Sequence, residues 1–356
     1  MKNCIFILFG LLIFCSCEKK QNVIPSFPIV EKVSEMPSRI SKEYLASIEN
    51  IESNDSLLVL TDYYDGYIFT LFDVRNGKYQ GRFGAIGQGP KELLAGCDGI
   101  LTNSQLELFL EETGFTAGYN VDSLFKDINT FYREKHYYKI PEGLFSKVLP
   151  LENRGLYLGA GVYKENFQFC LFDTTNTILD LYGTIYDADN YQMNKYHKFL
   201  SNQGILKKKP NGNKFVYALY NSSRLDFISV SSDLKIKSQK SYHLKNPEYD
   251  LWDDGALNRV FPNKHSIIGY LDISVTEDYV YALFSDENLI NQDDIQNLAC
   301  SQNILVYDWE GKPIKKIELP YKIFHLSINE NLQEIYGTYM DVDKNWRVGF
   351  FSLNGM

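Results

Sequence analysis

The sequence is poor in the residues that build metal and redox sites. Histidine occurs five times in 356 residues, and no pair of histidines has the spacing that a helix uses to hold a metal. The acidic loop residues, among them Asp189 and Asp253, do not follow the Asp-x-Asp-x-Asp-Gly pattern of a calcium loop. We therefore predict no metal site and no cofactor. The histidines are His136, His197, His243, His265 and His325.

The chain also lacks a positive charge balance. It has 36 Lys and Arg against 45 Asp and Glu, which gives a formal net charge of -9. A protein that binds nucleic acid carries a basic patch or stripe to meet the phosphates. The main basic cluster here, 207–209, is followed by Pro-Asn-Gly and is typical of an exposed turn. Nucleic acid is thus excluded as a predicted partner.

Cysteines are few in the body of the chain. Of six in total, three lie in the first seventeen residues, and Cys97, Cys170 and Cys300 follow. Three thiols cannot all pair, although one disulfide among them stays open. The body has no Cys-x-x-Cys, so neither a zinc knuckle nor a thioredoxin-like site is indicated.

Long hydrophobic runs are absent after the N-terminus. The first residues combine a charged start at Lys2, an apolar run over 4–14 and the stretch Cys15-Ser16-Cys17, followed at once by polar residues. The apolar run is too short for a spanning helix, which needs about 20 residues. The pattern predicts a signal peptide over residues 1–16 and a lipid on Cys17. A signal peptide that is cleaved without lipid attachment is the alternative.

This leader predicts the organisation of the rest. Residues 17–25 would form a lipid-anchored tether, and residues 26–356 one folded domain. The predicted location is the cell envelope, on the outer membrane. Whether the protein faces the periplasm or the cell surface is left open.

Residues and patterns that favour β-strands are abundant. Aromatic residues make up 15% of the chain, with 26 Tyr and 23 Phe, and aromatic side chains favour strands. Two short apolar runs, a polar turn and a third strand follow one another over 56–83, and about six such units recur along the chain. Four-stranded units at this spacing predict an all-β, six-bladed β-propeller of antiparallel blades. Two β-sandwiches are the alternative.

The two ends of the chain fit a closed ring. The last unit stops at 354–356, before its outermost strand. We expect residues 28–33 to supply that strand from the N-terminus, because ring closure removes an open sheet edge. A long interval in the fifth unit indicates an insertion over 291–301 that caps or lines one face of the ring.

A glycine-rich stretch follows the first unit, over 82–93. It has no Gly-Lys-Ser/Thr for a Walker loop and no third glycine for the dinucleotide fingerprint that opens a helix, so a nucleotide-binding loop is not indicated. We interpret its glycines and proline as a tight turn, with a carboxylate placed to accept backbone hydrogen bonds. The residues concerned are Gly84, Gly87, Gly89, Pro90 and Glu92.

With Ser16-Cys17 and the repeated units, this stretch resembles the TolB-like six-bladed β-propeller lipoproteins of Bacteroidetes. The resemblance covers nearly the whole chain after the leader. It implies a six-bladed propeller, export and lipidation. It implies no catalytic residues.

The predicted function is a binding or scaffold module of the envelope rather than an enzyme, with a peptide, a glycan or a partner protein as ligand. The first alternative is a hydrolase or lyase, lactonase-like or acting on sugars, whose channel would hold His325 and Asp272. A lone histidine in an apolar run is, however, typical of a core residue. The second alternative is a component of an envelope protein assembly.

Overall fold

The fold is described from a computed structural model. It describes residues 23–41, 45–89, 92–93, 97–101, 105–110, 115–120, 134–137, 141–152, 155–164, 166–185, 193–253, 258–289 and 299–353. The predicted leader, Cys17, Pro90 and most of the predicted insertion at 291–301 lie outside these residues.

Six antiparallel sheets, the blades of a propeller, follow one another along the chain. In the first four blades, each strand pairs with the next in sequence, from the innermost strand outward. The first blade contains β3 (Asn50–Ser53), β4 (Leu57–Thr61), β5 (Tyr67–Asp73) and β6 (Tyr79–Ala85). The second contains β7 (Cys97–Leu101), β8 (Gln105–Leu110), β9 (Phe115–Asn120) and β10 (Glu134–Tyr137).

The third blade contains β11 (Gly143–Pro150), β12 (Leu156–Tyr163), β13 (Phe167–Asp173) and β14 (Ile178–Thr184). The fourth contains β15 (Gly204–Lys208), β16 (Lys214–Leu219), β17 (Leu225–Val230) and β18 (Ile236–Tyr242). The fifth contains β21 (Ile267–Val275), β22 (Tyr279–Asn288), β23 (Ser301–Asp308) and β24 (Pro313–Ile323). The sixth begins with β25 (His325–Asn329), β26 (Glu334–Met340) and β27 (Trp346–Ser352).

The N-terminal segment completes the last two blades. As predicted, an N-terminal strand closes the sixth blade, but it is β2 (Glu35–Met36), antiparallel to β27. The expectation that residues 28–33 would do so was wrong. Those residues contain β1 (Val30–Lys32), which pairs in parallel with β24 and gives the fifth blade a fifth strand. The segment is long enough to cross one blade before it reaches the next.

Aromatic residues pack both within single blades and between neighbouring blades. Phe83 packs edge-on against Tyr119 between the first and second blades, with ring centroids 4.8 Å apart. Phe169 and Tyr217 meet between the third and fourth blades at 5.3 Å. Such contacts bury each blade's faces against its neighbours.

Two further elements lie in connections between blades. The helix α1 (Lys195–Ser201) precedes the fourth blade, and Asn194 caps its N-terminus by accepting hydrogen bonds from two backbone amides. A hairpin of β19 (Tyr249–Asp253) and β20 (Asn258–Pro262) precedes the fifth blade.

The propeller has two faces that differ in their loops. We call connection face the side that carries the blade-to-blade connections and the loops between the second and third strands of each blade. The opposite side, the turn face, carries the turns between the first and second strands and between the third and fourth. Because successive strands alternate in direction, α1 and the β19–β20 hairpin both lie on the connection face.

Candidate functional site: an axial cavity and an aromatic rim

A cavity of about 330 Å³ lies on the propeller axis. Its polar lining comes from the innermost strands of five different blades, with Asn50 on β3, Lys147 on β11, Lys207 on β15, Asp272 on β21 and His325 on β25. Asn50, Gly204 and His325 are the first residues of β3, β15 and β25, and other lining residues, such as Tyr220, come from connections between strands. Inner strands begin at the connection face, so the cavity belongs to that end of the axis.

Charges of both signs meet in this cavity. The ammonium of Lys207 lies 2.5 Å from the Oε1 of Glu52, an ion pair between the first and fourth blades. Burial raises the pKa of Glu52, while Lys207 and Lys147 act in the opposite direction and Asp272 adds to the rise. The lining thus includes lysines and acidic residues, Glu49 among them, and the cavity offers both hydrogen-bond donors and acceptors.

Asp272 is fixed by backbone hydrogen bonds. Its Oδ1 accepts from the amide of Ile273 at 2.8 Å, and its Oδ2 accepts from the amide of Leu326 at 2.7 Å. Two residues further along the same strand, Ser274 Oγ accepts a hydrogen bond from the amide of Ile328 at 3.0 Å. These contacts join the inner strands of the fifth and sixth blades. Asp272 thus has a structural task on the wall of the cavity.

His325 lines the same cavity, so the structure brings together the two residues that the sequence singled out. Burial lowers the pKa of His325, and the nearby charge of Asp272 opposes this shift only in part. Its ring lies nearly parallel to the indole of Trp346, with centroids 6.4 Å apart. The lowered pKa favours the neutral imidazole. Within the described residues, no group of three His, Cys, Asp or Glu side chains could hold a metal ion.

Exposed aromatic side chains stand beside this cavity, on α1, on the β19–β20 hairpin and on the loop after β16. We call them the aromatic rim. Two residues of this region, Phe199 of α1 and Tyr220 of the loop, also line the cavity itself. The rim consists of Tyr196, Tyr220, Trp252 and Phe261, whose exposed fractions are 46%, 40%, 48% and 42%, respectively.

The rim is held in place by contacts between its elements. The hydroxyl of Tyr249 on the hairpin donates to the carbonyl of Ser201 at the end of α1, at 3.0 Å. The guanidinium of Arg259 lies 4.8 Å from the ring centroid of Trp252. The amide of Tyr220 donates to the carbonyl of Gln203 at 3.1 Å. Sequence reasoning missed these residues, because their surface position depends on a hairpin and a helix inserted between blades.

Exposed apolar side chains are distributed very unevenly between the faces. In the described part of the chain, every exposed large hydrophobic side chain lies at the connection face, except Ile29 and Val30 in the N-terminal segment. Besides the rim, the connection face carries Leu200, Leu244, Tyr64, Tyr67, Ile86, Phe167 and Val342. Apolar patches on a soluble surface commonly mark sites of interaction.

The glycine-rich stretch forms a turn between the first two blades. The amide of Gly89 donates to the Oε2 of Glu92 at 2.6 Å, and Leu93 is buried in the core. A Cβ on Gly87 would lie 2.0 Å from the same carboxylate oxygen, so any larger residue there would displace the Glu92 side chain. Gly84 has a φ of +76°, and Gly183 occupies the matching place in the third blade with +77°. The stretch shapes the chain, and the described cavity lining does not include it.

Two further observations concern the cysteines and membrane-spanning helices. Cys170 and Cys300 are buried, and burial raises the pKa of the Cys170 thiol to about 12. No helix in the described ranges is long and apolar enough to cross a membrane.

Comparisons with known proteins agree with this architecture. A putative exported protein from Bacteroides fragilis matches with a TM-score of 0.52 at 13% identity, over 92% of this chain and 99% of that one. A member of the DUF4221 family from Bacteroides vulgatus matches with a TM-score of 0.48 at 11% identity, over 90% and 95% of the two chains. A search of curated proteins gives no match. The model of the TolB-like 6-blade propeller-like family matches residues 29–331, and the chain belongs to this family.

Proposed function

We propose that this protein is a non-catalytic binding module of the cell envelope, anchored through a lipid on Cys17, which takes its ligand at the connection face. The observation that carries the proposal is the combination of a polar axial cavity with a rim of exposed aromatic residues on the same face. Binding sites commonly join apolar and aromatic walls to a few fixed polar groups. On the turns of the opposite face, no large hydrophobic side chain is exposed among the described residues.

The polar groups of the cavity favour binding over catalysis. Asp272 accepts two backbone hydrogen bonds, and Glu52 is paired with Lys207. A general acid or base needs to exchange a proton with the substrate, whereas these carboxylates form hydrogen bonds and an ion pair within the propeller. His325 and Asp272 would be the pair for a hydrolase or lyase, and this arrangement gives that alternative little support.

The ligand should combine apolar and hydrogen-bonding surface. A glycan or a peptide has this character, since each can lay an apolar face on Tyr220 or Trp252 and direct polar groups to the cavity. Aromatic side chains supply large contact areas at a low cost in conformational entropy. A partner protein docked on the wider connection face is the second candidate, favoured by the exposed apolar residues outside the rim.

Glycan and peptide arrays probed with the mature protein test the proposal. We expect a ligand whose affinity falls by about tenfold or more in Tyr220→Ala and in Trp252→Ala, as for central aromatic contacts in other interfaces. Tyr64→Ala is the matched control, because Tyr64 is 47% exposed on the same face but belongs to the first blade. Equal binding by all three variants would contradict the proposed site.

Pull-down from detergent-solubilised envelopes covers the second candidate. A partner protein that is retained by the wild type and lost in Trp252→Ala would identify the module as part of an assembly. Retention that is unaffected by the rim variants would place the contact elsewhere and speak against this site.

A further inference from the structure

The N-terminal segment shows from which side the chain enters the propeller. β1 runs parallel to β24, with Val30 opposite Lys316 and Lys32 opposite Glu318. β24 begins after the turn at 308–313 and runs from the turn face towards the connection face. Since β1 has the same direction, the residues that precede it must lie towards the turn face.

Side-chain packing agrees with this direction. The ring of Phe27 packs edge-on against Tyr307 at a centroid distance of 5.3 Å. Tyr307 is the penultimate residue of β23, next to the turn at the turn face. Val23 and Ile24 pack against the same hydrophobic cluster between the fourth and fifth blades. The described chain therefore starts near the turn face, at the boundary of these two blades.

The distance from this point to the predicted anchor is short. Val23 is the sixth residue after Cys17 in the sequence, and an extended chain covers at most about 3.6 Å for each residue. The lipid is thus at most about 21 Å from the turn face. This tether is no longer than a single strand of about seven residues, which spans about 23 Å.

We propose that the turn face rests on the headgroup surface of the bilayer and that the connection face, with its cavity and rim, points away from the membrane. This inference rests on the lipid attachment at Cys17 that the proposed function includes. With the strands of about seven residues standing between the two faces, the cavity opens about 20 Å above the headgroups. A ligand then reaches the cavity from the aqueous side without passing the lipid.

The chemistry of the turn face suits a polar membrane surface. Near the entry point its exposed residues form ion pairs between the fourth and fifth blades, with Lys214 joined to Glu310 and Lys209 to Glu277 at 3.2 Å. Among the described residues, no large hydrophobic side chain is exposed on the turns of this face. The face can therefore lie against headgroups without inserting into the acyl chains, and the lipid on Cys17 supplies the attachment.

Energy transfer from single fluorophores to a headgroup-labelled lipid tests this orientation. The full-length lipoprotein is reconstituted in vesicles after labelling of introduced cysteines at exposed positions. Lys312→Cys and Arg75→Cys place the label on the turn face, and Lys264→Cys and Val342→Cys place it on the connection face. The wild type, whose Cys170 and Cys300 are buried, measures background labelling.

We expect the two turn-face labels to lose clearly more emission than the two connection-face labels, because they lie about 20 Å closer to the acceptor. Equal transfer from all four positions, or stronger transfer from the connection face, would overturn the orientation. Vesicle flotation separates this result from failure of the anchor. If the wild type does not float and behaves like Cys17→Ser, the lipid attachment is wrong and the orientation falls with it.

Discussion

The N-terminal segment offers a sharp test of ring closure, through the substitution Val33→Asp. Val33 follows β1 and is 7% exposed, in a cluster with residues of the fifth and sixth blades such as Ile317 and Leu319. Its amide donates to the carbonyl of Glu318 at 3.2 Å. The aspartate would place a carboxylate in this apolar site, so the segment must either bury the charge or detach.

The magnitude follows from the burial of this side chain. Removing a fully buried valine from its apolar site costs about 1.5–3 kcal/mol, and a buried carboxylate without a designed partner adds about 1–3 kcal/mol. We expect a total loss of about 3–5 kcal/mol in the free energy of unfolding. In a domain of this size the melting temperature then falls by about 6–10 °C, at about 2 °C for each kcal/mol.

Val30→Asp is the matched control. Val30 belongs to the same segment and carries the same side chain, but it is 58% exposed. Surface changes of this kind are usually within about 0.5 kcal/mol. Thermal and urea unfolding of both variants and the wild type give the comparison. If Val33→Asp melts together with Val30→Asp, the N-terminal segment does not stabilise the ring and the reasoning is refuted.

Three other substitutions test particular contacts, all by unfolding experiments. Gly87→Ala should destabilise the domain by about 0.5–1.5 kcal/mol, because the added Cβ displaces the Glu92 carboxylate from its hydrogen bond with the amide of Gly89. The effect should vanish in a Glu92→Ala background; a persistent loss would show another cause. Asp272→Asn should lower stability by about 1.5–3 kcal/mol because a charged acceptor of two amides is lost; an unchanged unfolding midpoint would contradict its role between blades. Burial raises the pKa of Asp62 from 3.8 to about 6, so the folded state binds this proton more tightly. As the pH falls from 7 to 4, the wild type should gain up to about 3 kcal/mol relative to Asp62→Asn, and a constant difference would refute the shift.

The fold could be predicted because its signal is repeated. Each blade repeats the same order of strands and turns, so an error in the assignment of one unit does not affect the assignment of the others. The exchange of an N-terminal strand was also predictable, since the last unit visibly lacks a strand. Its exact position was not, because Val30 and Glu35 both begin short strand-like stretches and the sequence does not show which sheet edge each one meets.

The site could be predicted only in part. From the repeat it follows that His325 lies at the start of one inner strand and Asp272 within another. Both residues line the cavity. Their partners across the axis, such as Lys207 and Glu52, come from distant blades, and no local pattern joins them. The cluster 207–209 was interpreted as an exposed turn, yet Lys207 is buried in the ion pair. In a strand, neighbouring residues point to opposite sides, so adjacent lysines can have different surroundings.

The central claim is that ligand binds over the cavity and the aromatic rim of the connection face. Hydroxyl-radical footprinting with and without the ligand found on the arrays tests it most directly, since it measures the accessibility of single side chains. We predict that Tyr196, Tyr220 and Trp252 become protected, while Tyr64 on the first blade reacts as before. Protection of Tyr64 with unchanged reactivity at Tyr220 and Trp252 would contradict the account.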